Sequence, residues 1–363
     1  MSNLHYIIPI FVPHEGCPHE CVFCNQNSIT GTSTKVDAMY VEQTVNEYLQ
    51  TINHDDAIIE VSFFGGTFTA IKTEKQIELL TVAKKFKDNN KIKFIRLSTR
   101  PDYIDDNVLI NLKKYSVDII ELGVQSMDAE VLLKSGRGHT SGDVESASIL
   151  IKQYGFTLGH QIMIGLPGDN INKDIETAKR SIALKPDICR IYPALVIKDT
   201  HMEKMYIEQK FKPYSLSEAV NISKIIYIMM IVNQINVIRI GLQPTEEISE
   251  GNDLVAGPFH PAFRELVEGS IYNDLVYDVI MKNLKKPIFS NKVLVNINPK
   301  DISKLYANSK SFFNNMKKQI KTISIYICQD IAVKRGSISI CIDGECIIMT
   351  IYEYVSAKYK EGF

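Results

Sequence analysis

Three cysteines near the N-terminus have a spacing that suits the ligands of an iron-sulfur cluster. Cys17, Cys21 and Cys24 form a C-x-x-x-C-x-x-C run in a short loop after the apolar segment Tyr6 to Val12. Four thiolates normally fill a 4Fe-4S cluster, so three leave one iron with an open coordination position. An open position on a metal is typical of catalytic centres, whereas structural centres are closed. The spacing therefore predicts a catalytic 4Fe-4S cluster.

Two other uses of these cysteines fit the sequence less well. A structural zinc site needs four ligands, usually as two similarly spaced pairs. The other four cysteines are distant and make no second C-x-x-C: Cys189, Cys328, Cys341 and Cys346. A disulfide framework is also disfavoured, because seven cysteines in 363 residues is an ordinary density and no signal peptide precedes them.

Polar and glycine residues follow the apolar runs further along the chain. Gly65, Gly66 and Thr67 follow the second run, and glycine allows either a tight turn or a close approach of the backbone to a ligand. Ser98 and Arg100 end the third run, where the arginine fork suits either a carboxylate ligand or an internal salt bridge.

The fourth and fifth runs end in a similar way. Glu121 and Gln125 end the fourth run; an inward carboxylate there needs a partner, and Gln125 with Ser126 could instead cap a turn. The fifth run ends in Ile164-Gly165-Leu166-Pro167-Gly168. A lone strand histidine, His160, is more often structural than a metal ligand.

These residues lie on alternating strand and helix patterns, which predict an α/β fold with a parallel sheet. The predicted strands are Ile7 to Val12, Ile58 to Phe64, Lys93 to Ser98, Val117 to Leu122, Thr157 to Ile164 and Ile188 to Tyr192. The predicted helices are Val41 to Thr51, Thr73 to Lys87, Asp105 to Lys114, Asp143 to Tyr154 and Asp174 to Ala183. The pattern alone fits a doubly wound sheet or a partial barrel equally well.

The ordered motifs resemble the radical S-adenosylmethionine (SAM) superfamily, whose cluster motif has this cysteine spacing and an aromatic residue before the third cysteine, here Phe23. The resemblance implies a partial (β/α)6 TIM-like barrel and a 4Fe-4S cluster whose open iron binds SAM. Reduction of the cluster, by a donor such as flavodoxin or ferredoxin, would cleave SAM to a 5'-deoxyadenosyl radical that abstracts hydrogen from a substrate.

The resemblance also assigns roles to residues. It implies that Cys17, Cys21 and Cys24 are catalytic metal ligands and that a further set holds SAM. That set is Phe23, Gly65, Gly66, Thr67, Ser98, Arg100, Glu121, Gln125, Ile164, Gly165 and Gly168.

The runs STRPD, ELGVQS, GRGHT and RIYPALVIKDT narrow the resemblance to the catalytic subunit of Elongator and its short bacterial homologues. The resemblance implies modification of a tRNA base. Arg190 stands where the family has lysine before Ile-Tyr-Pro, and Lys198-Asp199 stands where Arg-Gly is usual, which leaves the use of acetyl-coenzyme A open.

Composition is that of a globular protein, with 45% hydrophobic and 23% charged residues. The net charge of -1 gives no global attraction to nucleic acid, so RNA would need a local basic patch. The most apolar stretch, Ile225 to Val232, is too short to span a membrane. Thiols without disulfides and an oxygen-sensitive cluster predict a cytoplasmic protein with no membrane partner.

The pattern changes along the last third of the chain. We predict a barrel over residues 1–240, a loop and helical extension over 241–290, and a small α+β domain over 291–363. Gln243, Glu246, His260 and Arg264 in the extension are candidate substrate contacts or plain surface residues. Strand, two helices and strand in the last domain are the core order of a KH-like RNA-binding unit, but the KH glycines are absent.

The last domain also carries lysines that could form a phosphate-facing patch or a solvated face: Lys300, Lys304, Lys310, Lys317 and Lys318. Three functions remain open from the sequence. They are a radical SAM enzyme acting on tRNA, a radical SAM enzyme acting on a small porphyrin-like or peptide compound, and a cluster-bearing RNA-binding or sensor protein without turnover.

Overall fold

The computed structural model describes residues 4–12, 21–25, 36–52, 56–242, 252–283, 291–320 and 323–361. Contacts within the chain define two compact units, residues 1–215 with 235–259, and residues 216–234 with 260–363. The contacts therefore group the apolar segment around Ile225 with the second unit, whereas the sequence-based boundary assigned it to the barrel.

The first unit is built on a seven-stranded parallel sheet whose order follows the sequence without a reversal. Its strands are β1 (His5–Val12), β2 (Ile58–Gly65), β3 (Phe94–Thr99), β4 (Ile119–Gln125), β5 (Thr157–Ile164), β6 (Ile188–Pro193) and β8 (Asn236–Ile240). A doubly wound sheet reverses its strand order at a switch point, so the sequential order identifies a partial barrel. The α/β partial-barrel prediction is confirmed, with one more strand than the six expected.

Helices follow most of these strands and pack on the sheet. They are α1 (Ala38–Thr51), α2 (Thr73–Asp88), α3 (Asp106–Lys114), α4 (Ala129–Lys134), α5 (Ser141–Gln153), α6 (Ile171–Ala183) and α7 (His201–Ile207). A short antiparallel pair joins β7 (Val196–Ile197) to β9 (Leu254–Ala256).

Three helices begin two or three residues before the start that their apolar spacing indicates. Asp37, Thr140 and Asn170 accept hydrogen bonds from the first-turn backbone of α1, α5 and α6. These side chains satisfy amide groups that the first turn leaves without helical partners, so the cap sets the true helix start.

The second unit packs helices on one face of a mixed sheet with the strand order β11-β10-β12-β13. Its elements are α8 (Leu216–Val232), α9 (Phe263–Asn283), β10 (Lys292–Ile297), α10 (Ile302–Leu305), α11 (Ser311–Gln319), β11 (Ser324–Gln329), β12 (Ser337–Ile342), β13 (Glu345–Thr350) and α12 (Ile351–Glu361). The core includes Val295 and Ile340 from the sheet, Leu275 from α9 and Phe313 from α11. The predicted strand-helix-helix-strand order is present, and the predicted hairpin turns at Asp343 and Gly344, both with positive φ.

The last hairpin corrects the expectation that cysteines outside the motif are free thiols. Cys341 and Cys346 are directly opposite each other on β12 and β13, with their Cα atoms 4.0 Å apart, and they form a disulfide. The spacing of five residues in the sequence does not indicate this pairing, because the two cysteines come close together only when the hairpin forms. Cys189 and Cys328 are free, as expected.

No helix in the described ranges is both long enough and apolar enough to cross a membrane. The apolar stretch Ile225 to Val232 lies in α8, where Ile226 and Met230 are fully buried.

Candidate active site

Two of the three motif cysteines lie in a turn held between neighbouring segments of the first unit. The backbone N–H of Cys24 donates to the carbonyl of Cys21 at 3.0 Å. Val22 donates to the carbonyl of Ser135 and accepts from the amide of Met202. Cys21 is buried, Cys24 is half-buried, and neither is in a disulfide. Cys17 lies outside the described residues.

An arginine that the sequence analysis did not single out contacts one of these cysteines. Arg137, in the Gly-Arg-Gly run after α4, directs Nη1 to Cys21 Sγ at 3.3 Å and Nη2 to the carbonyl of Gly123 at 2.6 Å. A cationic N–H donor at this sulfur suits a ligand of a negatively charged cluster, because hydrogen bonds to the ligand sulfurs stabilise such clusters. The donor set therefore fits an anionic cluster at this turn. Among the described residues no three His, Cys, Asp or Glu side chains form a metal site, and the motif's first cysteine is not among them.

Arg100 lies behind Arg137 and uses most of its fork within the protein. Its Nε and Nη2 both donate to the Asp102 carboxylate at 2.9 Å, and Nη2 also donates to the backbone carbonyl of Arg137. Its Nη1 is buried and has no hydrogen-bond partner in the part of the chain that the structure describes. Of the two uses weighed from the sequence, the internal salt bridge is formed, and the contact of Arg100 with a carboxylate ligand stays a prediction.

Charges of alternating sign line the inside of the sheet. Arg96 on β3 contacts Glu60 on β2 at 2.8 Å and Glu121 on β4 at 3.5 Å, and Arg190 on β6 contacts Glu121 at 2.7 Å. All four residues are at least nine-tenths buried. Glu121 therefore has the partners that its position requires, and the carboxylate is anchored rather than free. Sequence reasoning missed Glu60 and Arg96, although a charge inside an apolar run is the same signal that identified Glu121.

The strand ends supply the remaining predicted residues. Gly65 has φ +110°, and a Cβ there would lie 2.6 Å from the carbonyl oxygen of Val12, so the position requires glycine. Gly66 donates to the same carbonyl at 3.0 Å, and Thr67 is buried. Ser98 Oγ lies 3.5 Å from Glu121 Oε2.

Gln125 ends β4 in a strained backbone conformation. It has φ +63°, which is uncommon outside glycine, and it is buried at an irregularity in the pairing of β4 with β5. Gln161 Nε2 donates to its side-chain oxygen at 3.4 Å. Strain of this kind is concentrated at functional sites, where it directs a side chain.

The end of β5 is fixed from behind by a buried carboxyl group. Asp174 accepts from the amide of Gly165 at 3.3 Å and from the Tyr214 hydroxyl at 2.8 Å. Burial, and then the charge of Asp169, raise the pKa of Asp174 to about 9. The Tyr214 ring occupies the space where a Cβ on Gly165 would lie. Ile164 is buried and Gly168 has φ +85°.

Two histidines near these elements are buried and neutral. Burial lowers the pKa of His160 to about 3, and its ring nitrogens contact Ser148 Oγ at 2.9 Å and Ser181 Oγ at 2.8 Å. It is a structural residue, in line with the interpretation favoured from sequence. Burial, followed by the charges of Arg137 and Arg100, lowers the pKa of His139 to about 3.

The predicted site residues of the first unit that the structure describes thus lie at the carboxyl ends of the strands or inside the sheet. Hydrogen bonds and ion pairs link them. Phe23 packs with Leu166 and Met202 in a small apolar cluster, which connects the cysteine turn to the end of β5.

Other candidates have different positions. Gln243 and Glu246 lie outside the described residues. His260 and Arg264 belong to the second unit, where Arg264 Nε pairs with Glu268 at 2.8 Å. Lys304 of the predicted lysine patch pairs with the same glutamate at 2.9 Å.

Comparisons with known proteins identify the family and the relatives of this chain. A family model described as the Radical SAM superfamily matches residues 11–180, and one described as the Radical SAM C-terminal domain matches residues 186–273. The tRNA uridine(34) acetyltransferase of Methanocaldococcus infernus is 28% identical over 255 residues, which is 60% of this chain and 48% of that protein. Human Elongator complex protein 3 is 29% identical over 265 residues, 61% of this chain and 48% of that protein.

The chain therefore spans about half the length of the curated relatives it matches. Among solved structures, archaeal Methanocaldococcus infernus Elp3 with an N-terminal deletion superposes with a TM-score of 0.59. The match has 23% identity and covers 79% of this chain and 65% of the other, so it supports the shared fold. Because the two family models cover most of residues 11–273 and the cysteine turn lies within the first, this chain belongs to the radical SAM superfamily.

Proposed function

We propose that this protein is an enzyme that binds a 4Fe-4S cluster through Cys17, Cys21 and Cys24 and cleaves SAM reductively to modify a base of tRNA. The observation that carries the cluster assignment is the turn with Cys21 and Cys24 and the guanidinium of Arg137 at the sulfur of Cys21. When bound, the cluster would supply one electron and an open iron position for SAM.

The protein's own residues would bind and orient the cofactor. The glycine backbone at Gly65 and Gly66 allows close approach to the amino group of SAM, and Arg100 Nη1 and Ser98 offer polar contacts. Glu121 and Gln125 form the wall at β4. Ile164, Gly165 and Gly168 form the adenine side, held from behind by Asp174 and Tyr214. Phe23 covers the cysteine turn with apolar surface and excludes water.

The choice of tRNA as substrate rests on the curated relatives, which include tRNA uridine(34) acetyltransferases. A small-molecule substrate is the second candidate, because at least one lysine of the second unit, Lys304, is already neutralised by Glu268 and Asp301. A cluster-bearing RNA-binding protein without turnover is the third. The reductant would be a flavodoxin or ferredoxin.

Cluster loading and SAM cleavage provide the test. After anaerobic reconstitution and dithionite reduction, 5'-deoxyadenosine is quantified with and without bulk tRNA. We expect cleavage that tRNA stimulates. Cys21→Ala should lose cluster iron and cleavage, whereas Cys328→Ala, which removes an exposed cysteine of the second unit, should keep both.

Each outcome separates the candidates. Cleavage that tRNA does not change, with no tRNA binding, would support a small-molecule substrate. Salt-sensitive tRNA binding without cleavage would support the non-enzymatic candidate. Retention of cluster and cleavage in Cys21→Ala would refute the ligand assignment.

A further inference from the structure

Arg137 is held at Cys21 by contacts on both sides of its guanidinium. Nη1 lies 3.3 Å from Cys21 Sγ and Nη2 lies 2.6 Å from the carbonyl oxygen of Gly123. The residue is 6% exposed. Its backbone carbonyl accepts from Arg100, whose own position is fixed by Asp102. The side chain therefore has one defined orientation, with one N–H directed at sulfur.

Glycine at position 123 makes room for this arrangement. A Cβ there would lie 3.3 Å from Arg137 Nη2 and 3.0 Å from Gln125 Nε2. Both distances are tighter than ordinary van der Waals contact, so a larger residue at 123 would push the guanidinium away from the carbonyl it contacts.

The charge of Arg137 has no carboxylate partner among the described residues. Its Nε is buried with no hydrogen-bond partner in the described ranges, and the nearby Asp102 is engaged by both arms of Arg100. The two arginines also act on His139, because their charges add to burial in lowering its pKa. A buried cation is costly unless it is compensated, so this position requires a negative group. The thiolate of Cys21, as a cluster ligand, would be that group.

We propose that Arg137 sets the reduction potential of the cluster by donating a charge-assisted hydrogen bond to the sulfur of Cys21. This inference rests on the proposed function, because it concerns the cluster that the function requires. The inference gives the Gly-Arg-Gly run a role that is distinct from cluster ligation and from SAM binding.

The direction of the effect follows from electrostatics. Reduction adds one negative charge to the cluster, and a fixed positive charge with an N–H bond to a ligand sulfur stabilises the reduced form more than the oxidised form. Arg137 therefore raises the potential and makes the cluster easier to reduce by a biological donor.

The test is a redox titration of the reconstituted full-length protein followed by electron paramagnetic resonance, alongside iron and sulfide analysis. Arg137→Met keeps the side-chain length and removes charge and donor. We expect its reduced-to-oxidised ratio at a fixed potential to fall about tenfold, equivalent to a midpoint about 59 mV more negative for a one-electron couple. Arg137→Lys, which keeps the charge without the fork, should lie between Arg137→Met and wild type.

Arg180→Met is the matched control. Arg180 also donates to a backbone carbonyl, that of Met127, but it pairs with Glu145 and makes no hydrogen bond with any cysteine that the structure describes. Its midpoint should equal that of wild type. A fully loaded Arg137→Met protein with the wild-type midpoint would overturn the inference. If that variant binds no cluster, Arg137→Lys and Arg137→Gln are titrated, and wild-type midpoints in both overturn it. Absence of a 4Fe-4S signal in wild type would instead refute the proposed function.

Discussion

At the scale of single residues, the buried carboxyl groups of the first unit are stabilised in two different ways. Glu60 and Glu121 contact arginines across the strands, so each negative group faces a positive one. Asp174 has no ion pair among the described residues. It accepts from an amide and a hydroxyl, and it shares a side-chain hydrogen bond with Asp169. Its pKa of about 9 means that the folded protein retains a proton there at neutral pH.

The first residue-scale prediction concerns Asp174→Asn. The carboxyl has its ordinary pKa of 3.8 in the unfolded chain and a pKa of about 9 in the folded one, so unfolding releases a proton throughout that interval. The contribution of this carboxyl group to the free energy of unfolding of wild type therefore falls as pH rises from 3.8 to 9. The fall is up to about 1.4 kcal/mol per pH unit. Asparagine cannot titrate and keeps an acceptor and a donor. The free energy of unfolding of the variant minus that of wild type should therefore rise between about pH 5 and about pH 8, in favour of the variant.

Asp143→Asn provides a control in which the pH dependence of stability has the opposite sign. Asp143 closes a capping box with Thr140 at the start of α5, and the hydrogen bond from the Thr140 amide lowers its pKa. Its contribution is present above the unfolded pKa and is lost as pH falls, so the asparagine variant should be the less stable one at neutral pH. A pH-independent difference for Asp174→Asn would show that the folded carboxyl is deprotonated at neutral pH.

At the scale of elements, the loop after β2 shows how backbone geometry fixes a binding edge. Gly65 and Gly66 both meet the last residue of β1, Val12. The amide of Gly66 donates to the Val12 carbonyl, and the missing Cβ of Gly65 lets that carbonyl approach. The backbone atoms of this loop, without any side chain, can therefore face a ligand.

Gly65→Ala should break this edge. Alanine at φ +110° with its Cβ 2.6 Å from the Val12 oxygen is strained whatever the side chains do, because the clash is with backbone. We expect a loss of about 1–3 kcal/mol in unfolding free energy, measured by urea denaturation. Gly142→Ala is the matched control, since its Cβ would meet only Thr140 Oγ1 at 3.5 Å in the first turn of α5. That change should be neutral or stabilising, and an equal loss in both variants would contradict the explanation.

The sequence predicted strands and helices of the first unit well because each carries its own period. The six predicted strands all occur, and the helix starts differ by more than one residue only where Asp37, Thr140 and Asn170 cap an earlier turn. Contacts between distant segments were not predictable in this way. Arg137 meets Cys21 across 116 positions, and nothing local to either residue indicates the pairing.

At the scale of the whole molecule, the division into two units shows the limit of composition and periodicity. The apolar helix α8 follows the strand-helix pattern of the barrel in sequence, yet its contacts group it with α9 and the second unit. Burial on several sides explains why the second half of α8, Ile225 to Val232, carries no charged residue, but the sequence does not state which partners bury it. The Cys341–Cys346 disulfide was missed for the same reason, because strand register decides which side chains meet.

The last prediction concerns the acid sensitivity of the first unit. His160 is fully buried between α5, β5 and α6, with a folded pKa of about 3 against the ordinary histidine value of 6.5. The unfolded chain takes up a proton below pH 6.5 that the folded chain refuses until about pH 3. The contribution of His160 to the free energy of unfolding is therefore fully present above pH 6.5. It falls with decreasing pH by up to about 1.4 kcal/mol per pH unit.

His160→Gln removes that titration while it keeps polar atoms between Ser148 and Ser181. The variant should be less stable than wild type at about pH 7.5, because the hydrogen bonds of glutamine to the two serines are less well matched. The deficit should shrink as pH falls from about 6.5 to about 4.5, as followed by urea unfolding at each pH. The slope due to Asp174 is common to both proteins and cancels in the difference. Parallel stability curves across this range would mean that the folded chain takes up a proton at position 160, and that the two serines do not hold the imidazole neutral.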